Sequence, residues 1–144
     1  MPVDLTSKDR FVEYAGTTVA EATPERAVVD QPAADFLDNH VGVRHASALF
    51  TAGHEASRAL VRMALGDAAD AVRAELLESE VSYVNVGFGR IESSAEPAGE
   101  GWEDARAAIE AGRAVELAVD VTGTDEKGKV VVTVAERWRL APAS

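Results

Sequence analysis

The stretch ASALFTAGHEASRALVRMAL, Ala46 to Leu65, constrains the fold more than any other part of the chain. Leu49, Ala52, Ala56, Leu60 and Met63 recur at steps of three and four, which is the period of an α-helix, and Gly66 supplies a stop. The other faces carry Ala48, Phe50, Ala59 and Val61. A helix that is apolar nearly all round cannot rest on a surface, because most of its circumference must be taken out of water. The rest of the chain therefore has to provide a sheet that surrounds it.

Strand patterns lie on both sides of this helix. TTVAEATPERAVVDQP reads as two short strands around a Thr23-Pro24 turn, rich in the β-branched Thr17, Thr18, Val19, Val28 and Val29, with Pro32 closing the second. Before it, Ser7 is placed to cap a short helix carrying Phe11, Val12 and Tyr14 and ended by Gly16. AADFLDNHVGVRH has no sustained period and is expected to be a loop whose Phe36 and Leu37 tuck into the core. After the long helix, GDAADAVRAELLES reads as a connecting segment with helical character. EVSYVNVGFGRIESSA then suggests a strand bent at Gly87 and Gly89. EPAGEG is a turn-rich joint, and WEDARAAIEAG is a short helix closed by Gly112. In RAVELAVDVTG, Val115, Leu117, Val119 and Val121 alternate with Glu116, Ala118, Asp120 and Thr122, the signature of a half-buried strand. VVVTVAERWRL returns as its hairpin partner across Gly128, with Arg137 and Arg139 leaving the core on one side.

Charge and composition exclude several classes of function. The formal net charge of -11 disfavours nucleic acid and anionic membranes as partners, since both are met by basic surfaces. With no cysteine, thiol nucleophiles, disulfide frameworks and Cys-based zinc sites are ruled out. No stretch has the form of a signal peptide or the roughly 20 apolar residues of a membrane span, so a cytoplasmic protein is expected. At 144 residues, 1–144 is expected to form one domain.

All three histidines, His40, His45 and His54, fall within NHVGVRHASALFTAGHE, together with Asn39 and Glu55. Their spacings match no standard metal motif, and neither a metal nor another cofactor is expected. There is no Gly-rich phosphate loop and no nucleophile elbow. His54 and Glu55 on a mostly apolar helix are costly unless paired, which points to function or to a buried pair.

NHVGVRHASALFTAGHEAS resembles the asparagine, glycine, histidine, small-residue and long-helix pattern of the PaaI-like acyl-CoA thioesterases, and the order of elements resembles their hotdog fold. The resemblance implies an α+β chain in which a curled antiparallel sheet wraps one long central helix. It also implies that Asn39, Gly42 and His45 belong to the active-site loop. Amides at the helix start, at Ala46 and Ser47, would polarise a thioester carbonyl, as helix N-termini favour developing negative charge. Two departures stand out. The usual two glycines after the histidine are replaced by Ala46 and Ser47, and nine residues beyond His45, where the family places an acidic residue, stands His54. Glu55 follows one place later, rotated by about 100° around the helix.

Asn39, His45, His54 and Glu55 are thus the candidate catalytic residues, and Gly42, Ala46 and Ser47 the candidate substrate-binding positions. Arg44, Arg58, Arg90 and Arg113 could meet a CoA phosphate but are equally suited to solvent. The expected activity is hydrolysis of an acyl-CoA or acyl-carrier thioester by a homodimer or homotetramer. Its alternatives are a non-catalytic hotdog protein that binds an acyl or aromatic ligand, and a hydroxyacyl dehydratase.

Overall fold

The computed structural model describes residues 2–6 and 9–143. Ser7, expected to cap the first helix, lies outside them. The cap there is Asp9, whose carboxylate accepts from the amides of Phe11 and Val12, and it opens α1 (Arg10–Tyr14).

Seven strands form one antiparallel sheet around the long helix. They are β1 (Pro2–Val3), β2 (Thr18–Ala22), β3 (Ala27–Gln31), β4 (Val72–Tyr83), β5 (Ile91–Ala98), β6 (Val115–Thr124) and β7 (Val130–Pro142), in the spatial order β1-β4-β7-β6-β5-β3-β2. The helix α2 spans Ala46–Leu65, as its period predicts, and ends at Gly66. A shorter helix, α3 (Ala105–Glu110), joins β5 to β6. The curled antiparallel sheet around one long helix is the hotdog fold.

The core is where α2 meets the inward faces of the central strands. Leu49, Ala52, Ala56, Leu60, Val61 and Leu65 pack on Leu117, Val119 and Val121 of β6 and on Val132, Val134, Trp138 and Leu140 of β7. Each fully buried Leu or Val contributes roughly 1.5–3 kcal/mol over an exposed one. Gly53 sets how closely helix and sheet approach, since a Cβ there would stand 2.9 Å from a Val134 methyl. Met63, assigned by period to the apolar stripe, is instead 37% exposed at the end of the helix.

Four expectations are corrected. Residues 72–83 form the 12-residue strand β4, so 72–79 are strand and not a helical connector. Their Ala, Glu and Leu content favours helix locally, but they pair with β7 from Val72↔Pro142 to Tyr83↔Val132, and that long-range ladder overrides propensity. Residues 84–90 form a loop between β4 and β5, so no single strand bends through Gly87 and Gly89. β5 in turn runs on through EPA to Ala98. Pro97 is tolerated because the pairing of β5 with β3 stops at Ala95, leaving that end of β5 with one neighbour. Finally, Phe36 is exposed while Leu37 is buried. The two sit in a 3₁₀ turn, Asp35–Leu37, where successive side chains are about 120° apart and only one can point inward.

Candidate active site

The loop before α2 is built to deliver the helix start at a fixed place. The Asn39 side-chain oxygen accepts from the amides of Val41 (3.0 Å) and Val43 (3.2 Å), and Gly42 adopts φ +80°, so Asn39 and Gly42 close a tight turn. Arg44 anchors this turn. Its side chain is fully buried and donates to Asp38 (3.1 Å), Gln31 (2.6 Å) and the carbonyls of Pro32 (2.8 Å) and Gly89 (2.6 Å). Gln31 in turn donates to the Ala48 carbonyl at 2.9 Å. One guanidinium thereby ties β3, the 84–90 loop and the helix entry together, which removes Arg44 from the candidates for a CoA phosphate.

His45 is the N-cap of α2. Its Nδ1 accepts from the Ser47 amide at 3.0 Å, and the ring is exposed. That bond occupies one of the two amides expected to face a carbonyl. The Ala46 amide has no hydrogen-bond partner among the described residues. His45 and Ser47 also line a small cavity of about 150 Å³ with Phe11, Tyr14 and Phe36.

Eight residues along the helix from Ala46, His54 meets a partner that the local sequence does not show. Its Nδ1 lies 3.1 Å from each carboxylate oxygen of Glu136, on β7. The Glu136 side chain is fully buried, whereas that of His54 is 25% exposed. Ser79 on β4 donates to Glu136 Oε2 at 2.6 Å, a short charge-assisted bond. The imidazole is stacked between Phe50 (centroids 5.9 Å apart, planes at 11°) and Trp138 (5.7 Å, 10°). Trp138 is itself fixed by a 2.9 Å bond from its indole N–H to Ser57. Ring position, tilt and the Nδ1 contact are all set by neighbours, and Nε2 has no partner among the described residues.

Glu55 points elsewhere. Its carboxylate takes a two-pronged contact from Arg58, Nε to Oε2 and Nη2 to Oε1, both 3.0 Å. Arg58 also donates to the Asp4 carbonyl at 2.6 Å. This pair lines a cavity of about 540 Å³ between α2, α1 and β2, walled by Val12, Thr17 and Val19 among others. His54 and Glu55, about 100° apart around the helix, therefore face different elements, one toward β7 and β4 and the other toward α1 and β2. The loop candidates gather at the helix start, about 12 Å along the axis from His54. Among the described residues no three His, Asp or Glu side chains converge as a metal-binding set.

With this geometry in place, comparison with known proteins gives a family. The profile of a domain of unknown function, DUF4442, matches residues 6–140. The chain belongs to the DUF4442 family. Among solved structures, this DUF4442 chain is similar to a Pseudomonas aeruginosa protein of unknown function described as a probable thioesterase, at 25% identity and a TM-score of 0.78. That match covers 96% of this chain and 91% of the other. It is also similar to a mutant of a thioesterase enzyme from Staphylococcus aureus, at 16% identity and a TM-score of 0.72, covering 93% and 100% of the two chains. A third similar structure is AziG of S. sahachiroi, at 19% identity and a TM-score of 0.75, covering 93% and 98%. No curated protein matches the sequence significantly. Among the described residues no helix is long and apolar enough to cross a membrane.

Glu136 and Ser79 escaped the sequence reading, but one of them left a signal. In VVVTVAERWRL the outward Arg137 and Arg139 fix the parity of β7, so Val132, Val134, Glu136, Trp138 and Leu140 must all face inward. A carboxylate in the middle of that row is an anomaly that calls for a buried partner. Ser79 left no such signal, since its segment did not read as a strand.

Proposed function

We propose that this protein hydrolyses a thioester, with His54 as general base and Glu136 as the group that orients it. The observation that carries this reading is the buried Glu136 carboxylate on His54 Nδ1. A carboxylate there favours the tautomer with the proton on Nδ1 and leaves Nε2 as the proton acceptor. Water deprotonated by Nε2 attacks the carbonyl carbon of the thioester, the electron pair moves to the carbonyl oxygen, and collapse of the tetrahedral intermediate expels the thiolate. The proton held on Nε2 then passes to the leaving sulfur. The probable-thioesterase description of the 25%-identical Pseudomonas protein supports the same reaction class.

The developing oxyanion needs a donor, and the open amide of Ala46 is eight residues from His54 on the same helix, about 12 Å away. One carbonyl cannot touch both, so the donor comes from a second copy. β4 offers the means. Among the described residues β1 pairs only with Ala74 and Glu75, which leaves the rest of that described edge, with exposed Leu77 and Tyr83, open to pair with its symmetry mate. The reading is thus a homodimer of the PaaI-like kind acting on acyl-CoA or an acyl-carrier thioester. In it Asn39, Gly42, His45 and Ser47 shape the helix entry and Ala46 supplies the donor.

A panel of acyl-CoA substrates assayed for free thiol tests it. His54→Ala is expected to lose at least tenfold in kcat, about 1.4 kcal/mol of transition-state stabilisation, with the fold retained. Full activity in that variant would remove His54 from the reaction. A second reading, a binding protein without catalysis, is favoured by the 540 Å³ cavity beside Glu55, a volume that suits a small ligand. Absence of thiol release from every substrate, with saturable acyl-ligand binding, would establish it.

A further inference from the structure

We propose that Ser79 is a positioning residue for the base: it fixes the rotation of the Glu136 carboxylate that receives the His54 N–H, and a β-bulge in β4 brings it there. The inference rests on the reading of His54 as general base. His54 Nδ1 is 3.1 Å from both Glu136 oxygens, so the histidine by itself does not choose between them. The terminal torsion of a glutamate is soft, and a carboxylate held by one N–H rocks about its last bond. The Ser79 hydroxyl donates to Oε2 at 2.6 Å and removes that freedom, so that both oxygens stay turned toward the imidazole.

The strand shows how the serine comes to face this way. In the ladder with β7, Leu76 stands opposite Trp138, but the next pairs are Glu78↔Arg137 and Ser79↔Glu136, so Leu77 is an extra residue. Side chains alternate along a strand, and one added residue inverts the parity of everything beyond it. Leu77 and Glu78 are accordingly exposed in succession. Without the bulge, Glu78 would face Glu136, carboxylate against carboxylate, and Ser79 would point to the outer face. The shift replaces a repulsive pair with a donor.

Two measurements on the full chain test the proposal together: steady-state kinetics on the acyl-CoA that wild type hydrolyses fastest, and ¹⁵N NMR of the His54 ring. Ser79→Ala is expected to lower kcat about five- to tenfold with KM within about twofold, while Ser79→Thr, which keeps the hydroxyl, restores kcat to within about twofold. The wild-type ring is expected to show the proton on Nδ1, and Ser79→Ala to show a mixture of tautomers. An unchanged kcat in Ser79→Ala, or an unchanged tautomer, would overturn the proposal. So would a loss of kcat that threonine fails to restore, since a loss of packing alone would produce it. If wild type hydrolyses no thioester, the functional reading fails, yet the ring measurement still decides whether Ser79 orients His54.

Discussion

Two buried carboxylates flank the helix α2, and they are held in different ways. Glu55 is neutralised by Arg58, three residues on along the same helix, in a two-pronged contact beside the α1 cavity. Among the described residues no arginine or lysine pairs with Glu136, since its neighbour Arg137 turns outward to Glu78 and Glu116. Glu136 is held by a histidine 82 positions away and by a serine on the neighbouring strand. A guanidinium pair with a fixed fork satisfies a carboxylate and leaves little for chemistry, since Arg neither gives up nor accepts a proton. A carboxylate that faces an imidazole orients a group that does both. On the proposed reading, the difference separates a pair that maintains the structure from one that moves protons.

The largest effect that tests this contrast is on stability. Arg58→Ala leaves the Glu55 carboxylate almost buried without its cation and is expected to cost about 3 kcal/mol, measured as a lower denaturation midpoint. Replacing both partners with leucine should recover most of that loss, because it removes the stranded charge. A negligible effect of Arg58→Ala would mean that water reaches Glu55 freely and that the pair is not structural.

Next in size is an effect on activity. Glu136→Gln is expected to lower thioester hydrolysis about tenfold, roughly 1.4 kcal/mol, because an amide orients the imidazole less firmly than a carboxylate. Glu55→Gln should stay near wild type in kcat. The opposite ranking would exchange the roles of the two carboxylates and place the reaction at the α1 cavity.

The smallest expected effect concerns the hairpin that supports the helix entry. Asp125, between β6 and β7, accepts from the amides of Lys127 and Lys129 and, more weakly, from Phe88 in the 84–90 loop that receives Arg44. Burial raises the pKa of this carboxyl, but backbone donors from Lys129, Lys127 and Phe88 outweigh that and hold it below the usual range. A depressed pKa contributes stability above the ordinary aspartate value, and that contribution disappears as pH falls through the folded value. Asp125→Asn is thus expected to cost about 1 kcal/mol near neutral pH and progressively less in acid. A difference that stays constant down to about pH 2 would show that the carboxylate charge has no part in it.

Much of this was legible in the chain itself. The period from Ala46 to about Leu65 revealed α2, and alternation in 115–121 revealed the buried face of β6 at Leu117, Val119 and Val121, because both signals are local and repeat several times. The loop pattern from Asn39 to His45 marked the helix entry, whereas Arg58 was assigned to a CoA phosphate or to solvent and its pairing with Glu55 appears only in the structure. The first part of β4, residues 72–79, was hidden, since its residues favour helix until β7 pairs with them.

What tertiary structure alone decided is which groups meet. Nothing between His54 and Glu136 in the sequence connects them; the curl of the sheet around α2 brings them together, and one inserted residue at Leu77 decides that a serine rather than a glutamate faces the carboxylate. A local period determines which way a side chain points. Its partner depends on the register of strands distant in sequence, and that register is fixed only when the whole sheet closes over the helix.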